Sequence, residues 1–139
     1  ILMKKYFLYL LAFFATNVFA QSTVQEVMDA GGKRLTTEQL QGLMPSKQFT
    51  GKMGQGYETD FKLDKDGSFK GFVYPDGRTV STWGSWRIEN DSYCMDMRYT
   101  GGGTNKFCNS IFEVNGKYFV AGSAAKPDAG VRERFFKPL

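Results

Sequence analysis

Apolar and polar residues alternate along most of the chain after Lys47, as they do in strands that bury one face. Aromatic and β-branched residues are concentrated in eight short runs that start about ten residues apart. The runs cover residues 48–53, 57–63, 68–74, 79–88, 92–99, 105–114, 117–122 and 131–137. This pattern predicts a mainly β fold, either an antiparallel lipocalin-like up-and-down barrel or a strongly curved sheet of about eight strands.

Turn residues between the runs indicate hairpin connections. Asn115-Gly116 is the strongest of these signals, because both central residues of a type I′ hairpin turn need positive φ. The segments at 64–67, 75–77, 89–91 and 101–103 supply further turns. Consecutive strands are therefore expected to pair as an antiparallel meander.

The two cysteines, Cys94 and Cys108, lie on adjacent predicted strands. In an exported chain they are expected to form one disulfide, and two free thiols are the alternative. If Cys94 faces Cys108, then Asp96 faces Lys106 on the same side of the hairpin. The opposite side is then apolar and contains Tyr93, Met95, Met97, Tyr99 and Phe107. One polar side and one apolar side are what a half-buried strand pair requires.

The tight turn at 89–91 extends this register to the preceding strand. It places Trp86 near Met95 on the inner side and Trp83 near Arg98 on the outer side. A cation–π contact between Trp83 and Arg98 would contribute about 0.5–1 kcal/mol. We take these two residues as the candidate surface binding site. The alternative is that the N-terminal helices cover Trp83.

Residues 1–20 have the organisation of a secretory signal peptide. Two lysines precede an apolar run at 6–15, and Val18 and Ala20 occupy the positions that a cleavage site needs. We expect the natural start at Met3, cleavage after Ala20, and a periplasmic or secreted location in a bacterium. A membrane-spanning helix is the alternative, but the apolar run is shorter than the roughly 20 residues that a bilayer requires. No membrane insertion of the mature chain is expected.

Residues 21–46 are predicted to form a helical segment before the β domain at 47–139. A short first helix is only weakly indicated. The second helix starts after Thr36, because Thr36 and Gln39 have the spacing of a capping box, and it ends before Pro45. Its apolar stripe predicts a lid packed on one end of the sheet, with a partner-binding helix as the alternative.

Composition excludes several classes of function. The formal net charge of +4 falls to about +2 without the signal-peptide lysines, and the basic residues are scattered, so nothing favours nucleic-acid binding. The chain contains no histidine. This removes the usual general base, the commonest metal ligand and the usual partner of a nucleophilic Ser or Cys. We expect no metal and no cofactor.

No motif assigns a catalytic residue. Glu58 and Asp60 alternate on one predicted strand and could serve acid–base chemistry, but the spacing identifies no partner carboxylate. Residues 64–67 (Asp-Lys-Asp-Gly) lack the further ligands of a calcium loop. The three glycines at 101–103 lack the Lys-Ser/Thr and the helix of a phosphate-binding loop. Hairpin turns are expected at both places, and the protein is not expected to be an enzyme.

Several short motifs occur in one order along the chain. They are residues 35–40 (Leu-Thr-Thr-Glu-Gln-Leu) with the Gly51 segment, Asp66-Gly67-Ser68, residues 84–88 (Gly-Ser-Trp-Arg-Ile), Tyr93-Cys94, Cys108, and residues 115–118 (Asn-Gly-Lys-Tyr). This order resembles the bacterial exported proteins grouped as domain of unknown function 995. The resemblance implies a small periplasmic or secreted β domain and transfers no catalytic residue. Gly-x-Trp is also similar to a lipocalin motif, but that motif lies on the first lipocalin strand, so the similarity implies barrel-like architecture only.

Together these features predict a non-catalytic exported binding module. It would take up a small apolar ligand inside the barrel, or bind an envelope component on its outer face. A periplasmic protein inhibitor or envelope-assembly partner is the alternative, and a carboxylate-dependent hydrolase ranks last. The partner is thus expected to be a small ligand or an envelope protein, and the mature chain a monomer. Tight packing of Trp86, Met95 and Phe107 without a cavity would exclude the internal ligand.

Overall fold

The computed structural model describes residues 22–54 and 56–139. The predicted signal peptide and its cleavage site lie outside the described residues. The elements are α1 (Val24–Asp29), β1 (Lys33–Arg34), α2 (Thr37–Leu43), β2 (Lys47–Lys52), β3 (Glu58–Leu63), β4 (Ser68–Tyr74), a short 3-10 turn (Pro75–Gly77), β5 (Val80–Glu89), β6 (Ser92–Tyr99), β7 (Thr104–Val114), β8 (Lys117–Gly122) and β9 (Arg132–Pro138).

Strands β2 to β9 form a closed antiparallel barrel. Each strand pairs with the next one in chain order, and β9 pairs with both β8 and β2, which closes the sheet. The predicted antiparallel barrel is confirmed, and the open curved sheet is excluded. All eight strands lie within one residue of their predicted bounds. The two-residue strand β1, which pairs with Glu113 and Phe112 of β7, was not predicted because so short a segment shows no alternation.

The hairpin register is also confirmed. Cys94 faces Cys108 and forms the disulfide with it, and Asp96 faces Lys106. One strand back, Trp86 lies on the inner side and is 7% exposed. The predicted turn at 115–116 has positive φ at both residues, as a type I′ hairpin requires. The cysteine pair therefore positions three strands, β5, β6 and β7, with the correct faces inward.

Helix α2 closes one end of the barrel, as the sequence predicts. The capping box is present: the Gln39 backbone N–H donates to Thr36 Oγ1 at 3.2 Å, and the Thr36 backbone N–H donates to Gln39 Oε1 at 2.9 Å. Leu40 and Met44 are fully buried in the main core, together with the inward side chains of the strands. This end of the barrel is therefore filled with apolar side chains.

The segment around α2 is attached to the turn between β5 and β6. The Thr37 backbone N–H donates to Asp91 Oδ1 at 2.6 Å, and the Asp91 backbone N–H donates to Thr37 Oγ1 at 2.9 Å. Hydrogen bonding of the Asp91 carboxylate with the backbone N–H and the side chain of Thr37 holds the pKa of Asp91 below its usual value. Arg34 donates to the backbone carbonyls of Asn90 and Asp91 and to Ser92 Oγ. Polar contacts therefore fix the lid from the outside.

Helix α1 packs on the outer face of the barrel. A second apolar cluster forms there, in which Val27 of α1 contacts outward side chains that include Phe112 and Phe119. Met28, the neighbour of Val27, points away and is exposed. Within the described residues, no helix combines the length and apolar character that crossing a bilayer would need.

Candidate functional site: a pocket in the open end of the barrel

A pocket opens at the end of the barrel opposite α2. Its volume of about 470 Å3 lies within the roughly 300–1,000 Å3 that is typical of small-ligand sites. Its walls come from β2, β3 and β6 to β9, and from the residues that follow β2 and β8. We call it the barrel pocket, and the residues that matter most to it are Phe49, Met95, Phe107, Asn109, Arg132 and Arg134.

Aromatic and thioether side chains form the apolar wall of the barrel pocket, because these positions face inward along their strands. The rings of Phe49 and Tyr93 pack edge to face with centroids 5.7 Å apart, and Tyr93 packs similarly against Phe107 at 6.5 Å. Met95 and Phe107, which face each other across β6 and β7, border the cavity. The open end of the barrel therefore contains a pocket, beneath which Phe49, Tyr93 and Met95 are packed and almost fully buried.

Arg134 is a buried cation in the wall of this pocket, with 5% of its surface exposed. Its side chain lies across β2 and reaches β3. Nε–H donates to the Thr50 carbonyl at 3.1 Å, Nη1–H to the Lys52 carbonyl at 3.2 Å, and Nη2–H to Thr59 Oγ1 at 2.8 Å. Burial lowers the pKa of Arg134, while nearby Tyr93 and Glu58 act in the opposite direction.

Gly51 provides the space for this guanidinium group. Its φ is +131°, and a Cβ atom at this position would lie 2.8 Å from Arg134 Cδ and 2.7 Å from the Glu133 carbonyl oxygen. Beside the gap, Arg134 Cζ lies 4.0 Å from the ring centroid of Phe49, which is a cation–π contact. The glycine on β2 and the ring next to it therefore hold the arginine flat against the barrel wall.

The charge of the barrel pocket is positive. Arg134, Arg132 and Lys52 contribute to its lining, whereas no carboxylate among the described residues does. Lys52 lies opposite Glu58 across β2 and β3, so its charge is partly balanced. Arg134 forms no ion pair with any described residue. Since buried cations are almost always paired, the charge of Arg134 is the electrostatic feature that most needs an explanation.

Neutral polar groups complete the lining. Asn109 Nδ2–H donates to Tyr93 Oη at 3.0 Å, and Asn105 lies four residues away on the same side of β7. Burial raises the pKa of Tyr93 above its ordinary value. The phenol therefore stays neutral at physiological pH, and together the three side chains offer both hydrogen-bond donors and acceptors to a ligand.

The predicted surface site lies elsewhere, on the outside of the barrel. Trp83 faces Arg98 across β5 and β6, as the register predicts, and it is 44% exposed. The alternative that helices cover Trp83 is therefore wrong. The expected cation–π contact between Arg98 and Trp83 is not formed. Among the described residues, such contacts involve Arg134. Binding at Trp83 and Arg98 stays a prediction.

Trp83 borders a surface depression of about 630 Å3, which we call the outer groove. Two further exposed aromatic residues, Phe72 and Tyr74, lie along it. Lys70, which faces Trp83 across β4 and β5, also lines it. Arg98 is not part of its lining. Trp83, Phe72 and Tyr74 thus line one groove, whereas Arg98 faces Trp83 across β5 and β6 without lining it.

The other candidate motifs lie outside the barrel pocket. Glu58 and Asp60 point to the outer face, where Asp60 Oδ1 accepts a hydrogen bond from Gln48 Nε2 at 2.9 Å. Asp66 Oδ1 accepts from the backbone N–H of Ser68 at 2.8 Å and from its hydroxyl at 2.6 Å, and these bonds lower the pKa of Asp66. The expected hairpin turns at 64–67 and 101–103 are confirmed.

One group of potential metal ligands forms at the disulfide. Glu89, Cys94 and Cys108 bring their ligand atoms within reach of one another. Both sulfur atoms are joined in the disulfide. They cannot act as thiolate ligands in that state, so the group is explained by the cross-link.

Sequence reasoning did not identify Arg134 as a site residue. On β9, Arg132, Arg134 and Phe136 share the inner side, but an arginine is not expected there, and the exposed Phe135 on the other side suggests the opposite orientation. A signal was nevertheless available in Gly51. Glycine inside a predicted strand often marks a place where another group approaches the backbone closely.

The chain matches no protein-family model, no curated protein and no solved structure. The resemblance to domain of unknown function 995 therefore stays a prediction from the motifs. Fold and site together define the class of protein: a closed eight-stranded antiparallel barrel with one disulfide and an internal pocket. A structural disulfide is typical of proteins that work outside the cytoplasm.

Proposed function

We propose that this protein is a non-catalytic binding module that holds a small, largely apolar ligand in the barrel pocket. The observation that carries the proposal is the pocket itself: a cavity of about 470 Å3 with apolar and polar side chains in its lining, in a barrel whose other end α2 closes. Barrels of eight strands have room for one small ligand at most. The chain would act as a monomer in the periplasm or outside the cell, consistent with the disulfide and the predicted signal peptide.

Apolar contact supplies most of the expected affinity. Burying about 300 Å2 of apolar ligand surface contributes roughly 7 kcal/mol, from which the loss of ligand freedom must be subtracted. Subtracting at least about 4 kcal/mol leaves about 3 kcal/mol, so apolar contact alone gives dissociation constants in the millimolar range. Higher affinity would need a further, polar interaction.

Fluorescence titration with the neutral apolar probe N-phenyl-1-naphthylamine tests the proposal. Val120 lines the barrel pocket and is buried, so Val120→Phe should fill the cavity and weaken probe binding at least tenfold. Thr104→Phe adds a ring at an exposed position outside the barrel pocket and serves as the matched control. Equal probe binding by the two variants would contradict an internal site, and so would an absence of probe binding by the wild-type protein.

The outer groove supports a second candidate function, the binding of an envelope component on the barrel surface. Three exposed aromatic rings, those of Phe72, Tyr74 and Trp83, lie along it. A periplasmic inhibitor or assembly partner would use the same face. Retention of the protein by a purified cell-envelope fraction should fall for Trp83→Ala and remain for Val120→Phe. Retention that is equal for all three proteins would contradict this candidate.

A further inference from the structure

The hydrogen bonds of Arg134 leave part of its binding capacity unused. A guanidinium group has five N–H donors. In Arg134, one N–H of Nε, one of Nη1 and one of Nη2 donate to protein acceptors. Each Nη atom therefore keeps one N–H without an acceptor among the described residues. Two N–H groups on neighbouring nitrogens are the arrangement that binds the two oxygens of an oxyanion.

The surroundings of Arg134 favour an anion over any other ligand group. The side chain is 5% exposed and lines the cavity, so water screens its charge poorly. Arg132 adds positive charge to the same lining, and the described residues contribute no acid to it. Glu58 is the acid nearest in register, and it belongs to the outer face of β3 opposite Lys52.

The polar and apolar parts of the pocket are side by side. The guanidinium group stacks on one face of Phe49. The ring of Phe49 also contacts the ring of Tyr93, and Tyr93 in turn contacts the ring of Phe107 on β7. A ligand whose head group reaches Arg134 would thus place its remaining atoms near Phe107, the partly exposed ring of this row.

We propose that the ligand is an amphipathic anion, whose carboxylate or phosphate head binds Arg134 and whose apolar body lies against the partly exposed side chains of Met53 and Phe107. This inference rests on the proposed function, because it names the chemistry of the ligand in the same barrel pocket. Gly51 on β2 gives the guanidinium group its place, and Arg132 attracts the anion to the mouth. An arginine with a purely structural role would show no preference for the charge of the ligand.

Competition among ligands that differ only in their head group tests the inference. Dodecanoate, dodecyl phosphate, dodecanol and dodecylamine would each displace N-phenyl-1-naphthylamine at concentrations below those at which they form micelles. A charged hydrogen-bonded pair typically improves affinity tenfold or more. We therefore expect at least one of the two anions to bind about tenfold more tightly than dodecanol, with dodecylamine weakest. The ranking of dodecanoate and dodecyl phosphate identifies the head group.

Arg134→Met should remove the preference of the anions over dodecanol while keeping dodecanol binding. Since Arg134 also bonds to the barrel wall, circular dichroism must show that this variant is folded. If it does not fold, the variant Arg132→Gln, which removes an exposed charge at the mouth, should reduce the preference in a folded protein. Equal binding of anions and dodecanol by the wild-type protein would overturn the inference and leave the proposed function standing. Failure of the probe and of all four ligands to bind would overturn both.

Discussion

Replacing Gly51 with alanine should destabilise the barrel and displace Arg134 in one step. At φ +131° an alanine is strained, and strain of this kind costs about 1–3 kcal/mol. The new Cβ would also lie 2.8 Å from Arg134 Cδ and 2.7 Å from the Glu133 carbonyl oxygen. Crowding of this degree costs about 1–3 kcal/mol more. The total, roughly 2–6 kcal/mol, is a large share of the 5–15 kcal/mol by which domains are stable.

Urea unfolding followed by circular dichroism measures this effect. A loss of that size should lower the unfolding midpoint by about 1 M or more. Gly42→Ala is the matched control, because it makes the same chemical change inside α2, where an added Cβ meets no atom within 4 Å. In a helix interior the change should stabilise the protein by about 0.5–1 kcal/mol.

The two glycine variants should therefore move the midpoint in opposite directions. If Gly51→Ala leaves the midpoint unchanged, the close approach of Arg134 to β2 is wrong. If it lowers stability but keeps the preference for anionic ligands, the guanidinium group does not depend on Gly51 for its position. Either result would refute the account of how the site is built.

Three further predictions concern the scaffold. Replacing Cys94 and Cys108 together by alanine should lower the free energy of unfolding by about 3 kcal/mol, as expected for a loop of this length. The reduced wild-type protein should have the same urea midpoint as this double variant. An unchanged free energy of unfolding would contradict a stabilising cross-link. Acrylamide should quench the fluorescence of Trp86→Phe, which keeps the exposed Trp83, more than that of Trp83→Phe, and equal quenching would contradict the assigned orientations. Asp91→Asn should destabilise the protein at neutral pH, because the pKa of Asp91 is lower in the folded state than in the unfolded state. The stability that results is fully present above the pKa of the unfolded state and is lost as the pH falls through the pKa of the folded state. The two melting temperatures should converge in acid, and a difference that persists there would count against the bonds at the start of α2.

The hairpins could be predicted from sequence because their determinants are local. Alternation fixes which side chains face inward, and short turns fix which strands are neighbours. The pairing of Cys94 with Cys108 then sets the register of β6 and β7. The short turn at 89–91 extends that register to β5 and so places Trp86 opposite Met95. The capping box at Thr36 is equally local. Each of these predictions depends on residues that are close in the chain.

The charged part of the barrel pocket could not be predicted, because its residues meet only in the closed barrel. Gly51 and Arg134 face each other across β2 and β9, strands from opposite ends of the β domain. No alternation pattern reports such a pairing. In addition, the charge of an arginine suggests that its side chain faces solvent. Its long apolar stem nevertheless allows it to face inward. The sequence shows the strand β9 but not the reason for a charge on its inner side.

Strand β9 contributes both to the barrel pocket and to closure of the barrel, which affects how the protein folds. It supplies Arg134, and it also makes the two pairings that turn an open sheet into a ring. Before β9 is in place, β2 and β8 are free edges that can pair with other chains. A ligand that needs Arg134 binds only after closure, and at a hundredfold excess over its dissociation constant it would favour the closed form by about 2.7 kcal/mol. The supply of ligand during synthesis would thus influence how many molecules close and how many aggregate.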